Sequence, residues 1–271
     1  MTVTVCAIMK DERQYIAEWV AYYQILGFDN IVIYCNDSTD GSEQLLLKLK
    51  EYGVLEFYDW PSGDHFSPQM AAYLDAISKC ETDWIMFVDA DEFLVLKQHS
   101  NVNDFLNSFK SEVSGIAINW RIFGSSGLIQ NENRLVIDRF RRASESMFYV
   151  NYHVKSFVRP KHVKEVHMHA CEVIGKYVTP LGNPIVFKRQ GISPLIDTAC
   201  AQVNHYIVKS WDEYLFKRLR GNANRHVSAE DKFTRYTDDL FTCHDKNDEI
   251  DESATPLIPE INKLILSWEV I

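Results

Sequence analysis

The first hundred residues alternate between short apolar runs and longer amphipathic stretches, and this alternation leaves few folds open to the chain. Four apolar runs have the length of buried strands: 3–8, 31–34, 54–58 and 84–88. Three stretches between them carry apolar residues at helical spacing: 11–27, 42–52 and 69–80. Strands that alternate with helices are typical of a parallel sheet with helices on its faces. We therefore predict an α/β domain with a Rossmann-like, mostly parallel central sheet and flanking helices.

Beyond residue 100 the alternation weakens, and the sequence predicts a smaller mixed region. Three elements are predicted there: strands at 115–122 and 152–158 and a helix at 210–219. The polar stretch after Thr242 predicts a loop or tail before a last amphipathic segment at 258–268. We predict a single domain over 1–235 and a C-terminal tail with a short helix over 236–271.

Three carboxylates directly follow the fourth apolar run: Asp89, Asp91 and Glu92. Asp89 and Asp91 stand two residues apart, which in extended backbone places both side chains on the same side. Carboxylate oxygens suit hard divalent ions such as Mg2+ and Mn2+, whose remaining ligands are often substrate phosphates. Such an ion stabilises the charge that develops on a departing nucleoside diphosphate. The two aspartates alone would also fit a simple turn between a strand and a loop. Their position in the predicted fold therefore has to decide between a metal site and a turn.

Polar residues follow the first, second and fourth predicted strands. In an open α/β sheet ligands bind beyond the carboxyl ends of the strands, so 10–13, 36–40 and 89–92 are expected to share one edge. The second of these segments consists of short polar side chains that can turn the chain and cap the next helix. The three segments together predict a binding site for a nucleoside diphosphate, with Asp89 and Asp91 at the metal ion.

These motifs resemble glycosyltransferases, first the family 2-like group and more narrowly the family 92 (DUF23-like) group. Family 2-like enzymes carry a similar Ser-Thr-Asp-Gly segment after the second strand, here 38–41. The family 92 pattern is similar at Asp11-Glu12, Glu18-Trp19, Gly27, Asp89 to Phe93, Trp120 to Gly127, Asn204-His205-Tyr206, Lys209-Ser210 and Arg220-Gly221. Two positions depart from the common patterns, since Asn36 replaces an aspartate and Tyr23 replaces a histidine. The resemblance covers about 3–221.

The resemblance implies a GT-A fold and a metal-dependent glycosyltransferase that inverts the anomeric centre. The implied donor is a UDP-sugar, with galactose favoured, and the implied cofactor is Mn2+ or Mg2+. The motifs do not identify the acceptor. We expect a saccharide or a glycolipid, as in the synthesis of surface polysaccharide or lipopolysaccharide, because the sequence has no membrane-spanning segment. An inverting enzyme needs a general base, which the motifs do not identify. Glu92 lies near the predicted metal ion. Three other carboxylates are weaker candidates for that base than Glu92: Glu132, Asp138 and Glu165.

The resemblance also implies roles for individual residues. Asp91 and Glu92 belong to the catalytic centre, with Asp91 as a metal ligand and Asp89 as a ligand of the metal or the ribose. Four residues are expected to contact the nucleotide: Asp37, Asp40, Lys209 and Arg220. Three residues are expected to contact the acceptor: Trp120, Phe123 and Gly124.

A late histidine is the expected third metal ligand. Three histidines are candidates, His167, His169 and His205, of which His205 and His167 are favoured equally. The alternation over 166–169 would aim His167 and His169 to one side of a strand.

Charge and cysteine usage restrict the partners and the compartment. The formal net charge of −10 disfavours nonspecific binding of nucleic acid, which depends on clustered Lys and Arg. The six cysteines include no CxxC pair, which favours free thiols and a reducing compartment. We therefore expect a cytoplasmic protein, with contact at the inner face of the membrane if the acceptor is a lipid.

Two other functions are compatible with parts of the pattern. An Asp-x-Asp phosphatase also places its motif after a strand, but normally after the first strand and not the fourth. A carbohydrate-binding protein that keeps the GT-A fold without activity is the other alternative, since a fold does not by itself imply activity. A dinucleotide-binding enzyme is disfavoured because 9–12 contains no Gly-x-Gly-x-x-Gly.

Overall fold

The computed structural model describes residues 1–63, 67–221 and 236–269. Its strands are β1 (Val3–Met9), β2 (Asn30–Cys35), β3 (Glu56–Asp59), β4 (Trp84–Phe87), β5 (Glu92–Leu96), β6 (Val113–Ile122), β7 (Arg142–Ala143), β8 (Val154–Val158), β9 (Val163–Glu165), β10 (Glu172–Val173), β11 (Lys176–Val178), β12 (Pro184–Ile185), β13 (Ala201–His205) and β14 (Glu249–Ile250). Its α-helices are α1 (Arg13–Ile25), α2 (Ser42–Glu51), α3 (Pro68–Lys79), α4 (Val102–Asn107), α5 (Val136–Arg139), α6 (Trp211–Arg220), α7 (Asp238–His244) and α8 (Ile258–Ser267). None of these helices has the length and apolar character that a membrane span requires.

One half of the central sheet is parallel and buried. β3, β2, β1 and β4 lie side by side in that order, and each neighbouring pair is parallel. Every residue of β1 and β4 is buried, which explains why both strands are largely apolar in sequence. α1 and α2 pack on one face of these strands, and α3 packs on the other. The predicted α/β architecture with a mostly parallel central sheet is confirmed.

The other half of the sheet mixes strand orientations, as predicted for the region beyond residue 100. β8 lies between β4 and β6 and is antiparallel to both. β6 also pairs in parallel with β11 and β13. β5 runs antiparallel to β13, from Glu92 opposite His205 to Leu96 opposite Ala201. β5 and β13, which pair with each other across more than 100 residues of chain, are missing from the predicted strands.

The C-terminal residues pack on the same core as the rest of the described chain. β14 pairs antiparallel with β7. α8, predicted as the last amphipathic segment, packs against α1 and buries Ile261 and Ile265. The predicted domain boundary follows residue 235, which lies outside the described residues, so a division at that point stays a prediction.

Candidate active site

A cavity of about 230 Å³ lies at the edge of the sheet where β1 and β4 end. β1 pairs with β2 on one side and with β4 on the other, so the carboxyl ends of these parallel strands share one edge, as predicted. The walls of this central cavity include Lys10 and Glu12 after β1, the turn between β4 and β5, Lys155 in β8 and Lys217 in α6. The cavity therefore combines carboxylates and cations from distant parts of the sequence.

Asp89 and Asp91 lie in the turn that joins β4 to β5, and both line the central cavity. The backbone N–H of Glu92 donates to the Asp89 carbonyl at 3.1 Å. The indole N–H of Trp19 donates to the same carbonyl at 3.2 Å. The expectation of extended backbone between the two aspartates is wrong, because the chain reverses here before β5 begins. The turn, and not strand alternation, brings both aspartates to the cavity.

Asp91 is a buried carboxylate between a lysine and a histidine. Its Oδ1 lies 3.6 Å from His205 Nε2, and its Oδ2 accepts a hydrogen bond from the Lys217 ammonium. Burial by itself would raise the pKa of Asp91, but Lys217 and His205 hold that pKa well below its usual value. Asp91 is therefore an anion that can accept a metal ion or an ammonium group.

Asp89 is the more exposed of the two aspartates, with 36% of its side chain accessible. Its Oδ1 accepts a hydrogen bond from Gln69 Nε2 at 3.0 Å, and its Oδ2 accepts one from Lys155 Nζ at 3.1 Å. Burial opposes ionisation, but the charge of Lys155 outweighs it and lowers the pKa of Asp89. The carboxylate is thus held in place while part of it faces the cavity.

Lys155 and Glu92 are in contact beneath the turn. The Lys155 ammonium lies 3.3 Å from Glu92 Oε2, and both side chains are almost completely buried. The same Glu92 oxygen accepts the backbone N–H of Asp89 at 2.7 Å. Burial raises the pKa of Glu92 to about 8. Glu92 does not line the cavity, so the structure places this predicted catalytic residue behind Asp89, where it supports the turn.

Trp120 is surrounded by three histidines on one side of the cavity. Its ring lies 4.3 Å from that of His205, 5.0 Å from that of His153 and 5.2 Å from that of His169, measured between centroids. Only 8% of the residue is exposed, and among the described residues its indole N–H has no hydrogen-bond partner. Trp120 lines the cavity with part of its apolar ring, which suits its predicted contact with an acceptor sugar, while its indole N–H is buried.

The three predicted candidates for a third metal ligand have different surroundings. His205 and His169 line the cavity, whereas His167 Nε2 lies 3.7 Å from Glu165 Oε1 and outside the cavity lining. The expectation of a strand over 166–169 is wrong, because these residues bend irregularly after β9. Of the three candidates, His205 is the one that lies beside Asp91.

Asp91 and His205 fit part of a coordination sphere for a divalent ion. Within 1–63, 67–221 and 236–269, no three His, Cys, Asp or Glu side chains are arranged as a complete metal site. Mg2+ and Mn2+ commonly take one or two carboxylates and complete their coordination with substrate phosphates and water. Burial lowers the pKa of His205, which favours the neutral imidazole that a metal requires. The protein donors thus suit an ion that binds together with a diphosphate.

α6 brings two cations to the central cavity. Lys217 reaches Asp91, and Arg220 donates hydrogen bonds to the Glu12 carboxylate and to the Lys10 carbonyl. The two side chains lie on one face of the helix because they are three residues apart. Of these two cations, Arg220 is a predicted nucleotide contact, and Lys217 is a further cation on the same face of the helix.

Three predicted nucleotide contacts lie outside the lining of the central cavity. Asp37 Oδ2 accepts the backbone N–H of Ser62 at 3.1 Å. Asp40 Oδ2 accepts the backbone N–H of Arg13 at 2.9 Å. Lys209 is buried, with its ammonium 4.2 Å from the centroid of a tyrosine ring. The two aspartates hold neighbouring loops together, and a nucleoside contact for them stays a prediction.

Two of the three predicted acceptor contacts belong to the packed interior. Phe123 is fully buried, with its ring 4.6 Å from that of Tyr206. Gly124 lies so close to another loop that a Cβ atom there would stand 2.4 Å from the Lys246 carbonyl oxygen. The glycine therefore allows two loops to approach each other. Of the predicted acceptor residues, the structure brings Trp120 alone to the central cavity.

A buried ion pair anchors α6. Arg139 donates two hydrogen bonds to the Glu213 carboxylate, at 2.7 and 2.8 Å, and each side chain is 2% exposed. The Tyr15 hydroxyl and the Ser210 hydroxyl also donate to Glu213. Burial opposes ionisation, but Arg139 outweighs it, and the pKa of Glu213 falls to about 2. The position of α6, and with it that of Lys217, depends on this pair.

Comparison with known proteins shows one family. The family profile described as glycosyltransferase family 92 matches residues 1–242. A family 92 protein of Ricinus communis is 28% identical over 235 residues, which are 79% of this chain and 36% of the relative. A family 92 protein of Arabidopsis thaliana is 26% identical over 237 residues, which are 80% of this chain and 37% of the relative. The chain thus spans little more than a third of the length of these relatives.

Similarity to solved structures is more distant. The crystal structure of S. aureus TarS 1-349 in complex with UDP-GlcNAc is 15% identical, with a TM-score of 0.41 over 86% of this chain and 69% of that chain. A TM-score of this size indicates only a remote likeness. The profile match, in contrast, extends over most of the sequence and includes every residue that lines the cavity, and it shows that the chain belongs to glycosyltransferase family 92.

Proposed function

We propose that the protein transfers a sugar from a UDP-sugar to a saccharide or glycolipid acceptor and that the reaction requires Mn2+ or Mg2+. One observation carries the proposal. Asp91 and His205, which can hold a divalent ion, lie in the same cavity as Lys217 and Arg220, which can face a diphosphate. A nucleoside diphosphate with its metal ion is the ligand whose charges match this arrangement.

Some residues of the cavity would bind the metal ion and the substrate, and others hold the binding residues in position. Asp91 and His205 would hold the ion, which when bound acts as a Lewis acid on the departing diphosphate. Lys217 supplies a mobile positive charge beside that position, and Arg220 fixes the loop after β1 through Glu12. Gln69 and Lys155 hold the partly exposed Asp89, whose free oxygen lone pairs can accept hydrogen bonds from sugar or ribose hydroxyls.

Galactose as the donor sugar and inversion at the anomeric centre are proposed from the family resemblance. A cytoplasmic location is proposed from the cysteine usage, and a role in surface polysaccharide synthesis is a further part of the proposal. None of the three weaker candidates for the general base lines the central cavity: Glu132, Asp138 and Glu165. Trp120 is the side chain we propose for contact with the acceptor, because its ring lines the cavity.

A panel of nucleotide sugars tests the proposed ligand class. With Mn2+ present, UDP-galactose at 100 times its dissociation constant should stabilise the fold by about 2.7 kcal/mol. For a chain of this length that stabilisation raises the melting temperature by several degrees, on the order of 5 °C. GDP- and dTDP-sugars, measured by the same thermal scan, are the controls and should give smaller shifts.

The same panel separates the proposed enzyme from its alternatives. Release of UDP, measured in parallel, distinguishes a transferase from an inactive carbohydrate-binding protein, which would bind sugar without turnover. Equal shifts with every nucleotide sugar, or none with any, would contradict the proposed donor.

A further inference from the structure

Lys217 contacts Asp91 beside the position where Asp91 and His205 would hold a divalent ion. Its ammonium donates to Asp91 Oδ2 and also to the Ile207 carbonyl at 3.1 Å. The side chains of Lys217 and Asp91 are 12% and 8% exposed, so the contact is shielded from water. The other oxygen of the same carboxylate faces His205. The ammonium is thus the positive charge that balances Asp91 in the structure.

Binding of a divalent ion to Asp91 is unfavourable while the Lys217 ammonium stays on the same carboxylate. The two positive charges would lie within a few ångströms of each other in a poorly hydrated space, where repulsion is screened much less than in water. The other cations nearby add to the repulsion, since Lys209 is buried without a carboxylate within 4 Å among the described residues, and Arg220 is already paired with Glu12. Metal binding without a further anion is therefore opposed.

A nucleoside diphosphate removes this conflict. It brings negative charge into the cavity, and its oxygens can accept the Lys217 ammonium and also ligate the ion. A lysine side chain can make such a change because its four-carbon stem is flexible and its ammonium is a compact donor. Lys217 lines the central cavity, so its ammonium has space into which it can move.

We propose that the Lys217 ammonium opposes metal binding at Asp91 in the ligand-free protein and moves to the diphosphate when a nucleotide binds, so that metal and nucleotide bind cooperatively. The inference rests on the proposed function, because it takes the diphosphate and the ion as the ligands of this cavity. By linkage, the factor by which the nucleotide tightens metal binding equals the factor by which the metal tightens nucleotide binding. Lys217 is therefore a positioning residue that orders the assembly of the site.

The test measures Mn2+ affinity by calorimetry or by the electron paramagnetic resonance of free Mn2+. Wild type, Lys217→Met and Arg218→Met are compared alone, with saturating UDP and with inorganic pyrophosphate. Arg218→Met is the matched control, because it removes a charge from the same helix at a side chain that is paired with Asp238. Lys217→Gln replaces the methionine variant if circular dichroism shows that the latter is unfolded.

Three results are expected if Lys217 opposes metal binding. Wild type should bind Mn2+ at least about tenfold more tightly with UDP or pyrophosphate than without them. Lys217→Met should bind Mn2+ about tenfold more tightly than wild type in the absence of nucleotide, and UDP should then tighten that binding by a smaller factor. This increase in Mn2+ affinity should disappear in the double variant Lys217→Met/Asp91→Asn, because the Asp91 carboxylate that Lys217→Met frees is the proposed metal ligand.

Unchanged Mn2+ affinity in Lys217→Met, or an equal gain in Arg218→Met, would overturn the inference. Either result leaves the proposed function standing if wild type still turns over a UDP-sugar with Mn2+. In the opposite pattern, Mn2+ and pyrophosphate bind cooperatively through Lys217 but no nucleotide sugar is turned over. That result supports the movement of Lys217 and refutes the proposed transferase activity. The two failures are therefore distinguishable.

Discussion

Replacing Glu213 with glutamine is expected to lower the free energy of unfolding by about 3 kcal/mol at pH 7. The change removes the negative charge that accepts two hydrogen bonds from Arg139, whose guanidinium is 2% exposed and would be left as an unpaired buried cation. Urea unfolding at equilibrium measures the loss. Asp212→Asn is the matched control, since Asp212 is an exposed carboxylate beside Glu213 in the first turn of α6. The control should lose less than about 1 kcal/mol.

The Glu213 contribution should also depend on pH in a defined direction. The pKa of Glu213 falls from 4.5 to about 2 in the folded protein, which corresponds to about 3 kcal/mol of linkage. Because the folded-state pKa is the lower one, this stabilisation is complete above pH 4.5 and is lost as the pH falls toward 2. The stability gap between wild type and Glu213→Gln should therefore narrow between pH 6 and pH 3. A gap that stays constant over this range would show that the pair contributes through packing and not through charge.

Asp91→Asn is expected to lower the rate of UDP release from a UDP-sugar by at least about 100-fold. Asparagine keeps the size of the side chain but removes the charge that faces both His205 and Lys217. Mn2+ binding in the presence of UDP should fall with the rate, since the variant has lost the proposed metal ligand. Steady-state kinetics and calorimetry measure the two effects.

The control for this experiment is Asp239→Asn, which removes an exposed carboxylate from α7. It should keep the wild-type rate. A thermal scan should show that Asp91→Asn remains folded at the assay temperature. If folded Asp91→Asn keeps its rate and its metal dependence, Asp91 is not the metal ligand and the assignment of the cavity fails.

The edge of the sheet that holds the site could be predicted from sequence because local patterns determine it. β1, β2 and β4 are short apolar runs separated by helices, and this order places their carboxyl ends together. The position of Asp89 and Asp91 follows directly from the end of β4. Arg220, the last residue of α6, could be found as well, because Arg220-Gly221 resembles an element of the family 92 pattern.

The cations that balance the aspartates could not be predicted in the same way. Lys155 reaches Asp89 only because β8 pairs with β4, opposite Ile85 and Met86, more than 70 residues away along the chain. Lys217 depends on the buried anchor of α6 in addition to its own spacing on the helix. The lysines that pair with the aspartates are brought there by tertiary contacts. The periodicity of a single sequence gives no information about such contacts.

Motif residues can also owe their identity to packing. Gly124 allows close approach of the loop at Lys246, and Phe123 fills the core beneath it. The Tyr23 hydroxyl donates to the Glu92 carbonyl at 3.1 Å and accepts the Leu94 N–H at 3.2 Å, so the tyrosine that departs from the family pattern holds the start of β5. A sequence match marks these positions without telling a structural role from a contact with substrate.

The central claim is that the cavity around Asp91 transfers sugar from a nucleotide donor only with a divalent ion. Continuous measurement of UDP release by wild type, first with EDTA and then with excess Mn2+, tests it most directly. We expect release to stop in EDTA and to return when Mn2+ is restored, with half-maximal Mn2+ decreasing as the UDP-sugar concentration rises. Full-rate release in EDTA would contradict the claim.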